Sequence, residues 1–152
     1  MASLVTAWGA AAVEANGGRA YVDARLYPNP TAGWERFRAA EARLVRGFDQ
    51  VCGDTFCEGE YHNLQALRFR CSVDAATGHV GECLWTFTGS TARVDMGSGR
   101  IQVDAQTWAC RLPLAGNTPL SDLLGTLEGE DPLHAPLPGT RDSIYEGLTV
   151  CL

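Results

Sequence analysis

The segment ALRFRCSVDAATGHVGECLWTF, residues 66–87, decides the fold. Two stretches in which apolar and polar residues alternate flank Ala76-Thr77-Gly78, and a glycine in the third position suits a three-residue hairpin loop. The inward-facing pairs across this hairpin would be Cys71 with Cys83, Phe69 with Trp85, and Leu67 with Phe87. Every such pair is apolar, so the segment predicts two antiparallel strands that share one buried face.

Three further turns would continue this pattern to residue 112. They are a two-residue loop at Gly89-Ser90, a four-residue loop over residues 96–99, and a tight turn at Ala105-Gln106. The pairs on the same inward face would then be Phe87–Ala92, Trp85–Val94, Val94–Ile101, Val103–Trp108 and Ile101–Cys110. The turns agree on one buried face, and they predict an antiparallel meander of four or five strands.

A strand and a long helix precede the meander. The alternation of Ala20, Val22, Ala24 and Leu26 with polar residues predicts a strand that stops at Pro28-Asn29-Pro30. From Thr31 to about Gln50 the apolar residues recur every three or four positions, at Trp34, Phe37, Ala40, Leu44 and Phe48. The predicted fold class is therefore α+β, with one long helix packed on an antiparallel β-meander and a loop-rich C-terminal tail.

A length of 152 residues indicates a single domain. Its parts are an N-terminal helical segment (1–18), a strand-helix-meander core (19–112) and a tail rich in proline and glycine (113–152). The first segment has an apolar run but no basic residue before it, so we expect a short helix there rather than a signal peptide. No apolar run reaches the length of about 18 residues that a transmembrane span needs.

The tail carries signals for two short helices. Thr118-Pro119 resembles an N-cap followed by a first-turn proline and predicts a helix to about Leu127. Residues 128–140 are expected to form an extended loop. Asp142 or Ser143 would then cap a final helical turn.

The charge pattern excludes one class of partner. The formal net charge is −6, and the 12 basic residues are spread along the chain. Affinity for nucleic acid and for anionic lipid comes mainly from clustered cations. We therefore predict no nucleic-acid partner; the expected partner is another protein or a second copy of the chain.

Six cysteines are compatible with three disulfides. The hairpin register joins Cys71 to Cys83, and Gly53 lets the chain turn so that Cys52 approaches Cys57. Cys110 and Cys151 remain, although six cysteines allow fifteen pairings in total. Three disulfides would place the protein outside the cell, in a periplasm or in the cell envelope.

The segment VCGDTFCEGEYHN, residues 51–63, has alternative interpretations. Cys52, Cys57 and His62 could bind zinc together with Cys71 or Glu60, but structural zinc ligands usually come as two close pairs. The acidic residues lack the spacing of a calcium loop. We therefore predict no metal and no cofactor, and a disulfide-closed acidic loop whose candidate partner-binding residues are Asp54, Glu58, Glu60 and His62.

No catalytic residue is predicted. The three histidines lie far apart in the sequence, at His62, His79 and His134, and no nucleophile elbow, phosphate loop or dinucleotide fingerprint is present. The predicted inner face carries aromatic residues and no carboxylate that could act as a base. A non-enzymatic function is therefore the prediction.

The order of strand, helix and meander over residues 19–112 resembles the cystatin-like fold, including cathelicidin pro-domains and, more loosely, the conical NTF2-like proteins. Cystatins inhibit papain-like proteases through a Gln-x-Val-x-Gly hairpin, and Gln50-Val51-Cys52-Gly53 is only a partial match to that motif. The sequence thus predicts a secreted or periplasmic binding or interaction module, a class that includes subunits of extracellular and envelope assemblies. The alternatives are a cystatin-type protease inhibitor and an NTF2-like small-molecule binder or enzyme.

Overall fold

A computed structural model gives the structure of residues 20–152. The N-terminal helix predicted over residues 1–18 lies outside the described residues. The strands and helices, in chain order, are β1 (Tyr21–Asp23), α1 (Pro30–Cys52), β2 (Gln65–Asp74), β3 (Val80–Val94), β4 (Ile101–Arg111), α2 (Leu120–Leu127) and α3 (Ile144–Cys151). The class is α+β, as predicted.

The four strands form one antiparallel sheet in the order β1-β2-β3-β4. Helix α1 covers one face of the sheet with a fully buried row of side chains that includes Phe37, Leu44 and Phe48. The ring of Phe37 stacks on Phe69 at 5.3 Å between centroids, and that of Phe48 lies 4.8 Å from Phe87. Aromatic packing between α1 and the sheet therefore forms the centre of the core.

Helix α1 begins at Pro30, one residue before the predicted start at Thr31. The side chain of Asn29 accepts a hydrogen bond from the N–H of Ala32 at 3.1 Å, and Pro30 occupies the first turn. The predicted buried stripe is wrong at one position, because Trp34 is 47% exposed and Gly33 is buried instead. A Cβ on Gly33 would lie 2.5 Å from the carbonyl oxygen of Tyr27, so the close approach of the preceding loop requires glycine.

The first strand is shorter than predicted. It ends at Asp23 and gives way to a 3-10 turn over Ala24–Leu26. The carboxylate of Asp23 accepts a hydrogen bond from the N–H of Arg25 at 2.9 Å and so caps this turn. Leu26, predicted to face inward, is 50% exposed as a result.

The β2–β3 hairpin forms, but its loop is one residue longer than predicted. Gly78 adopts a positive φ of 74°, as predicted, and Cys71 pairs with Cys83 and Phe69 with Trp85. Next to the loop the ladder shifts between Cys71 and Val73, so that Val73 pairs with Val80 and the loop spans residues 75–78. An irregularity in β2 between Ala66 and Phe69 then shifts the ladder, so that Phe87 faces Ala66 rather than Leu67. Leu67 is 43% exposed, and its predicted inward position is wrong.

The predicted turns at Gly89-Ser90 and Ala105-Gln106 do not form. Strand β3 runs straight through the first and β4 through the second, and the two strands pair without interruption from Leu84↔Arg111 to Val94↔Ile101. A Cβ on Gly89 would lie 2.8 Å from Cδ2 of Leu64, so this glycine permits close packing of a loop on the strand. The sheet therefore has four strands, two of them long.

Only the predicted loop over residues 96–99 forms in this part of the chain. Val94 pairs with Ile101, and the N–H of Asp95 donates to the carbonyl of Arg100 at 2.8 Å, as predicted. Because β3 does not turn at Gly89, Val94 lies on the sheet face opposite to Phe87. The predicted inward position of Val94 is therefore wrong.

The same correction applies to the residues that pair with this half of β3. Ile101 and Val103 of β4 are 61% and 68% exposed on the outer face. Trp108 and Cys110 pair with Phe87 and Trp85, instead of with Val103 and Ile101 as predicted. One buried face thus exists near the helix, but it does not extend to the end of the hairpin.

The tail completes the core. Ser143 begins α3 in a capping box with Glu146, whereas Thr118 donates its hydroxyl to Ala115 and does not cap α2. Residues 128–140 form a loop, but Leu133 and Leu137 within it are 0% and 1% exposed. The loop is therefore anchored in the core by apolar contacts that its composition did not predict.

Candidate functional site

Strands β3 and β4 extend past the core as a two-stranded hairpin. We call residues 91–107 the β arm. Every residue of its second strand from Ile101 to Thr107 is exposed, although the same strand is buried at Cys110. The arm therefore presents both faces to its surroundings.

One face of the arm is apolar. Ala92 pairs with Val103 and Val94 with Ile101, all on the side of the sheet away from α1. The exposed fractions are 55% for Val94, 61% for Ile101 and 68% for Val103, and Met96 at the tip is 93% exposed. We call Ala92, Val94, Ile101 and Val103 the apolar arm face.

The opposite face of the arm is polar. Thr91 pairs with Asp104 and Arg93 with Gln102, and Nε of Arg93 donates to Oε1 of Gln102 at 3.1 Å. The polar face lies on the same side of the sheet as the aromatic core, and the apolar face lies on the opposite side. The arm is thus amphipathic, but its apolar face points away from the core. An arm that packed on the core would have its apolar face on the other side.

The turn at the tip is well ordered by one carboxylate. Oδ1 of Asp95 accepts hydrogen bonds from the N–H of Ser98 at 2.7 Å and from its hydroxyl at 2.8 Å, and Gly99 takes a positive φ of 70°. These bonds to Ser98 hold the pKa of Asp95 below its usual value. The arm therefore ends in a defined turn.

A loop braces the arm at its base. The hydroxyl of Tyr61 donates to Oδ2 of Asp104 at 2.7 Å. The side chain of Asn63 donates to Oγ of Ser90 at 2.9 Å and accepts from the N–H of Ser90 at 2.8 Å. Together with Leu64 against Gly89, these contacts fix where the arm leaves the core.

The loop that braces the arm is the predicted acidic loop, since Tyr61 and Asn63 lie within residues 51–63. The structure joins Cys52 to Cys57, with their Cα atoms 5.0 Å apart, at the point where α1 ends. Phe56 anchors the loop because its ring lies 5.7 Å from Phe48 and 5.4 Å from Tyr145, measured between centroids. The other two disulfides, Cys71–Cys83 and Cys110–Cys151, also follow the pairs named from the sequence.

The four candidate partner-binding residues are all exposed, but they do not converge. Asp54 and Glu58 are exposed on the loop. Nδ1 of His62 lies 3.1 Å from the carbonyl oxygen of Cys57, so the ring turns back onto the loop. Only Glu60 reaches the arm, where it borders a cavity of about 100 Å³ together with Arg93.

No metal centre is found among residues 20–152, because His, Cys, Asp and Glu side chains do not gather there in groups of three or more that could hold an ion. Nδ1 of His134 lies 3.0 Å from Oδ1 of Asp131. In the same residues, no helix is both long and apolar enough to cross a membrane.

The sequence reasoning missed the apolar arm face, since it placed Val94, Ile101 and Val103 in the core. One signal could have revealed it. Val94 lies seven positions after Phe87, an odd number, so an unbroken strand puts their side chains on opposite faces.

A comparison with protein-family models, with curated proteins and with solved structures found no match for this chain.

Alkaline titration should reveal the brace. The hydrogen bond to the Asp104 carboxylate raises the pKa of Tyr61 to about 12. Because this pKa is raised, the stabilising contact is fully present below pH 10.0 and is lost as the pH rises through about 12. Phenolate absorbance should therefore show one of the 4 tyrosines titrating late.

The late step should be absent from Tyr61→Phe and should move toward lower pH in Asp104→Asn, which removes the neighbouring charge. Titration of Tyr61 at an ordinary pH in the native protein would contradict the brace.

Proposed function

We propose that this protein is a disulfide-stabilised binding module that binds another protein, or a second copy of itself, through the β arm. The observation that carries the proposal is the apolar arm face. Three of its β-branched side chains, on Val94, Ile101 and Val103, are each more than half exposed on one face of an ordered hairpin. Contiguous exposed apolar surface of this kind marks interaction sites more often than isolated exposed residues do.

The construction of the arm supports binding. The continuous β3–β4 ladder, the Asp95 turn and the Tyr61 brace hold the apolar face in one arrangement before a partner arrives. An ordered surface loses less conformational entropy on association than a flexible one. The arm is therefore suited to present its face to a partner.

The acidic loop would lie at the rim of such an interface. Glu60 borders the arm, and Asp54 and Glu58 are exposed on the same disulfide-closed loop. Charges at a rim steer encounter and select partners more than they add affinity. A partner with basic residues around an apolar centre fits this arrangement best.

The compartment follows from the disulfides. Three cross-links join all 6 cysteines, and such bonds persist in oxidising surroundings. We place the protein outside the cell, in a periplasm or in the cell envelope, where a module of this kind would belong to an extracellular or envelope assembly.

Affinity capture from the native source tests the function. Lysines in place of both Val94 and Ile101 should reduce recovery of the bound partner at least about tenfold, since burying an apolar side chain of this size stabilises a complex by roughly 1.5–3 kcal/mol. Mass spectrometry identifies what is recovered, including untagged copies of the chain.

Val150→Lys is the matched control. Val150 is 88% exposed but lies on α3, away from the arm, so the same chemical change there should leave recovery unaltered. Equal recovery by the native protein and the double arm variant would refute the proposed role of the arm.

A cystatin-like fold with protease inhibition is the first alternative. It draws support from the order of β1, α1 and the antiparallel strands that follow. The partial motif at residues 50–53 lies at the end of α1 and in its cap, not in a hairpin. Titration against papain-like proteases distinguishes this function from that of a binding module.

An NTF2-like small-molecule binder is the second alternative. The expected cone is filled near Trp85, which is fully buried and contacts the ring of Phe87 at 4.7 Å between centroids. A different apolar groove of about 490 Å³ lies between α1 and α2, lined in part by Tyr27, Leu120 and Leu124. A ligand of this class would bind there.

A further inference from the structure

We infer that the β arm pairs with the arm of a second copy, edge to edge, through antiparallel β4 strands related by a two-fold axis at Gln102. This inference rests on the proposed function and names its partner. It follows from which backbone groups of β4 face the open edge, from the placement of Arg100 just before β4 and of Asp104 within it, and from the position of the apolar arm face.

The first step is that β4 has an open edge. Only β3 lies beside it in the sheet of residues 20–152, since β4 is last in the strand order. Helix α3 is tied to its far end by the disulfide from Cys110, and every residue from Ile101 to Thr107 is exposed. An exposed strand edge of this length is a template for pairing with another chain.

The second step identifies the backbone groups that point outward. The carbonyl of Arg100 accepts from the N–H of Asp95, the residue after β3, at 2.8 Å, and the N–H of Leu112 donates to the carbonyl of Cys83 at 3.0 Å. Residues along an antiparallel strand alternate in the side to which they hydrogen-bond, and the β3–β4 register has no shift. The odd-numbered residues, including Ile101 and Val103, therefore direct their N–H and C=O groups to the open edge.

The third step fixes the register from charge. Arg100 and Asp104 are the charged residues within the stretch 100–107. Pairing about Gln102 places Arg100 of each copy opposite Asp104 of the other, on the same face of the sheet. A register centred on Asp104 would instead oppose two carboxylates, which is unfavourable.

The fourth step is that the same register joins the apolar arm faces. It places Ile101 beside Val103 of the second copy in both halves of the dimer, at positions whose backbone groups point to the open edge. Val94 pairs with Ile101 within each copy, so the two apolar faces become one continuous surface across four strands. Pairing at the edge therefore also brings the apolar side chains of the two copies into lateral contact on one face of the sheet.

The test is a charge exchange on the purified protein, followed by analytical ultracentrifugation. Arg100→Asp and Asp104→Arg should each raise the dimer dissociation constant at least about tenfold, because each puts like charges together at two symmetry-related positions. The double variant restores opposite pairs but loses the hydrogen bond from Tyr61 to Asp104. Its dissociation constant should therefore return to within about threefold of that of Tyr61→Phe, which loses the same hydrogen bond and keeps the native charges.

A cysteine cross-link tests the register without changing charge. At the two-fold axis Gln102 faces itself in a non-hydrogen-bonded pair, where Cα atoms lie about 4.5 Å apart, within disulfide range. Gln102→Cys should therefore give a covalent dimer. In the matched variant Thr107→Cys the two thiols would be separated by about 34 Å, ten residues at 3.4 Å each, and no such dimer should form.

The outcomes separate this inference from the function that it extends. A native protein that stays monomeric up to about 1 mM, or a dimer that is indifferent to both charge reversals, overturns pairing through β4. If the lysines at Val94 and Ile101 still abolish capture of another protein in that case, the arm remains a binding surface. Should Asp104→Arg fail to fold, Arg100→Asp and the Gln102 cross-link decide the question.

Discussion

Replacement of Trp85 by alanine is expected to lower the free energy of unfolding by about 3–5 kcal/mol. The side chain is fully buried at the centre of the sheet. Its ring contacts those of Phe48, Phe69 and Phe87, with centroids 5.9, 6.4 and 4.7 Å away. Loss of the indole would leave a cavity that rigid aromatic neighbours on α1, β2 and β3 cannot easily fill.

Urea unfolding under non-reducing conditions, followed by circular dichroism, measures the effect. Trp85→Phe is the informative control, because Nε1 of Trp85 is buried without a hydrogen-bond partner. Phenylalanine removes that unpaired donor and keeps most of the apolar contact, so its cost should be below about 2 kcal/mol. A cost for Trp85→Ala below about 1 kcal/mol would show that this part of the sheet is not packed as described.

The sequence predicts the β2–β3 hairpin well because the decisive interactions are local. Gly78 supplies the positive φ that the loop needs, and both strands alternate in phase on either side of it. The central pairs, Cys71 with Cys83 and Phe69 with Trp85, agree with that alternation. The two irregularities on either side of them, between Cys71 and Val73 and between Ala66 and Phe69, are invisible to local reasoning, since nothing in the sequence of the turn specifies them.

The long β3 and β4 strands could not be predicted in the same way. Gly89-Ser90 is a dipeptide typical of tight turns. In the structure, Gly89 instead makes room for Leu64 and Tyr61, some 25 residues away in the chain, which pack against it. A turn and a straight strand give the same local alternation of side chains. They differ in which face Val94 occupies, and that depends on the tertiary contact.

In the candidate site, too, the features set by local sequence could be predicted and those set by tertiary contacts could not. The disulfide-closed loop and the exposure of its acidic residues were predictable from Cys52, Cys57 and the spacing between them. The role of that loop as a brace was not, because it needs Tyr61 to reach Asp104 on a strand 43 positions away. The arm, which rests on that contact, is consequently the part of the site that the sequence does not specify locally.

Removal of the Cys110–Cys151 disulfide should destabilise the protein more than removal of Cys52–Cys57. The first bond joins residues 41 positions apart and the second only 5. A cross-link stabilises mainly by restricting the unfolded chain, and the restriction grows with the length of the loop that it closes. The expected losses are about 4 kcal/mol for Cys110→Ala with Cys151→Ala, and about 2 kcal/mol for the corresponding change at Cys52 and Cys57.

Both double variants should still fold. Ile144 and Leu148 hold α3 on the core, since each is 1% exposed. Phe56 continues to anchor the acidic loop on Phe48. Urea unfolding of the two variants beside the native protein measures the difference, with non-reducing peptide mapping to verify that the remaining bridges are intact. Equal losses, or a larger loss at Cys52–Cys57, would mean that native contacts around the short loop outweigh the chain-entropy effect. The acidic loop would then stabilise the core directly, through Phe56 and the Tyr61 brace, in addition to supporting the arm.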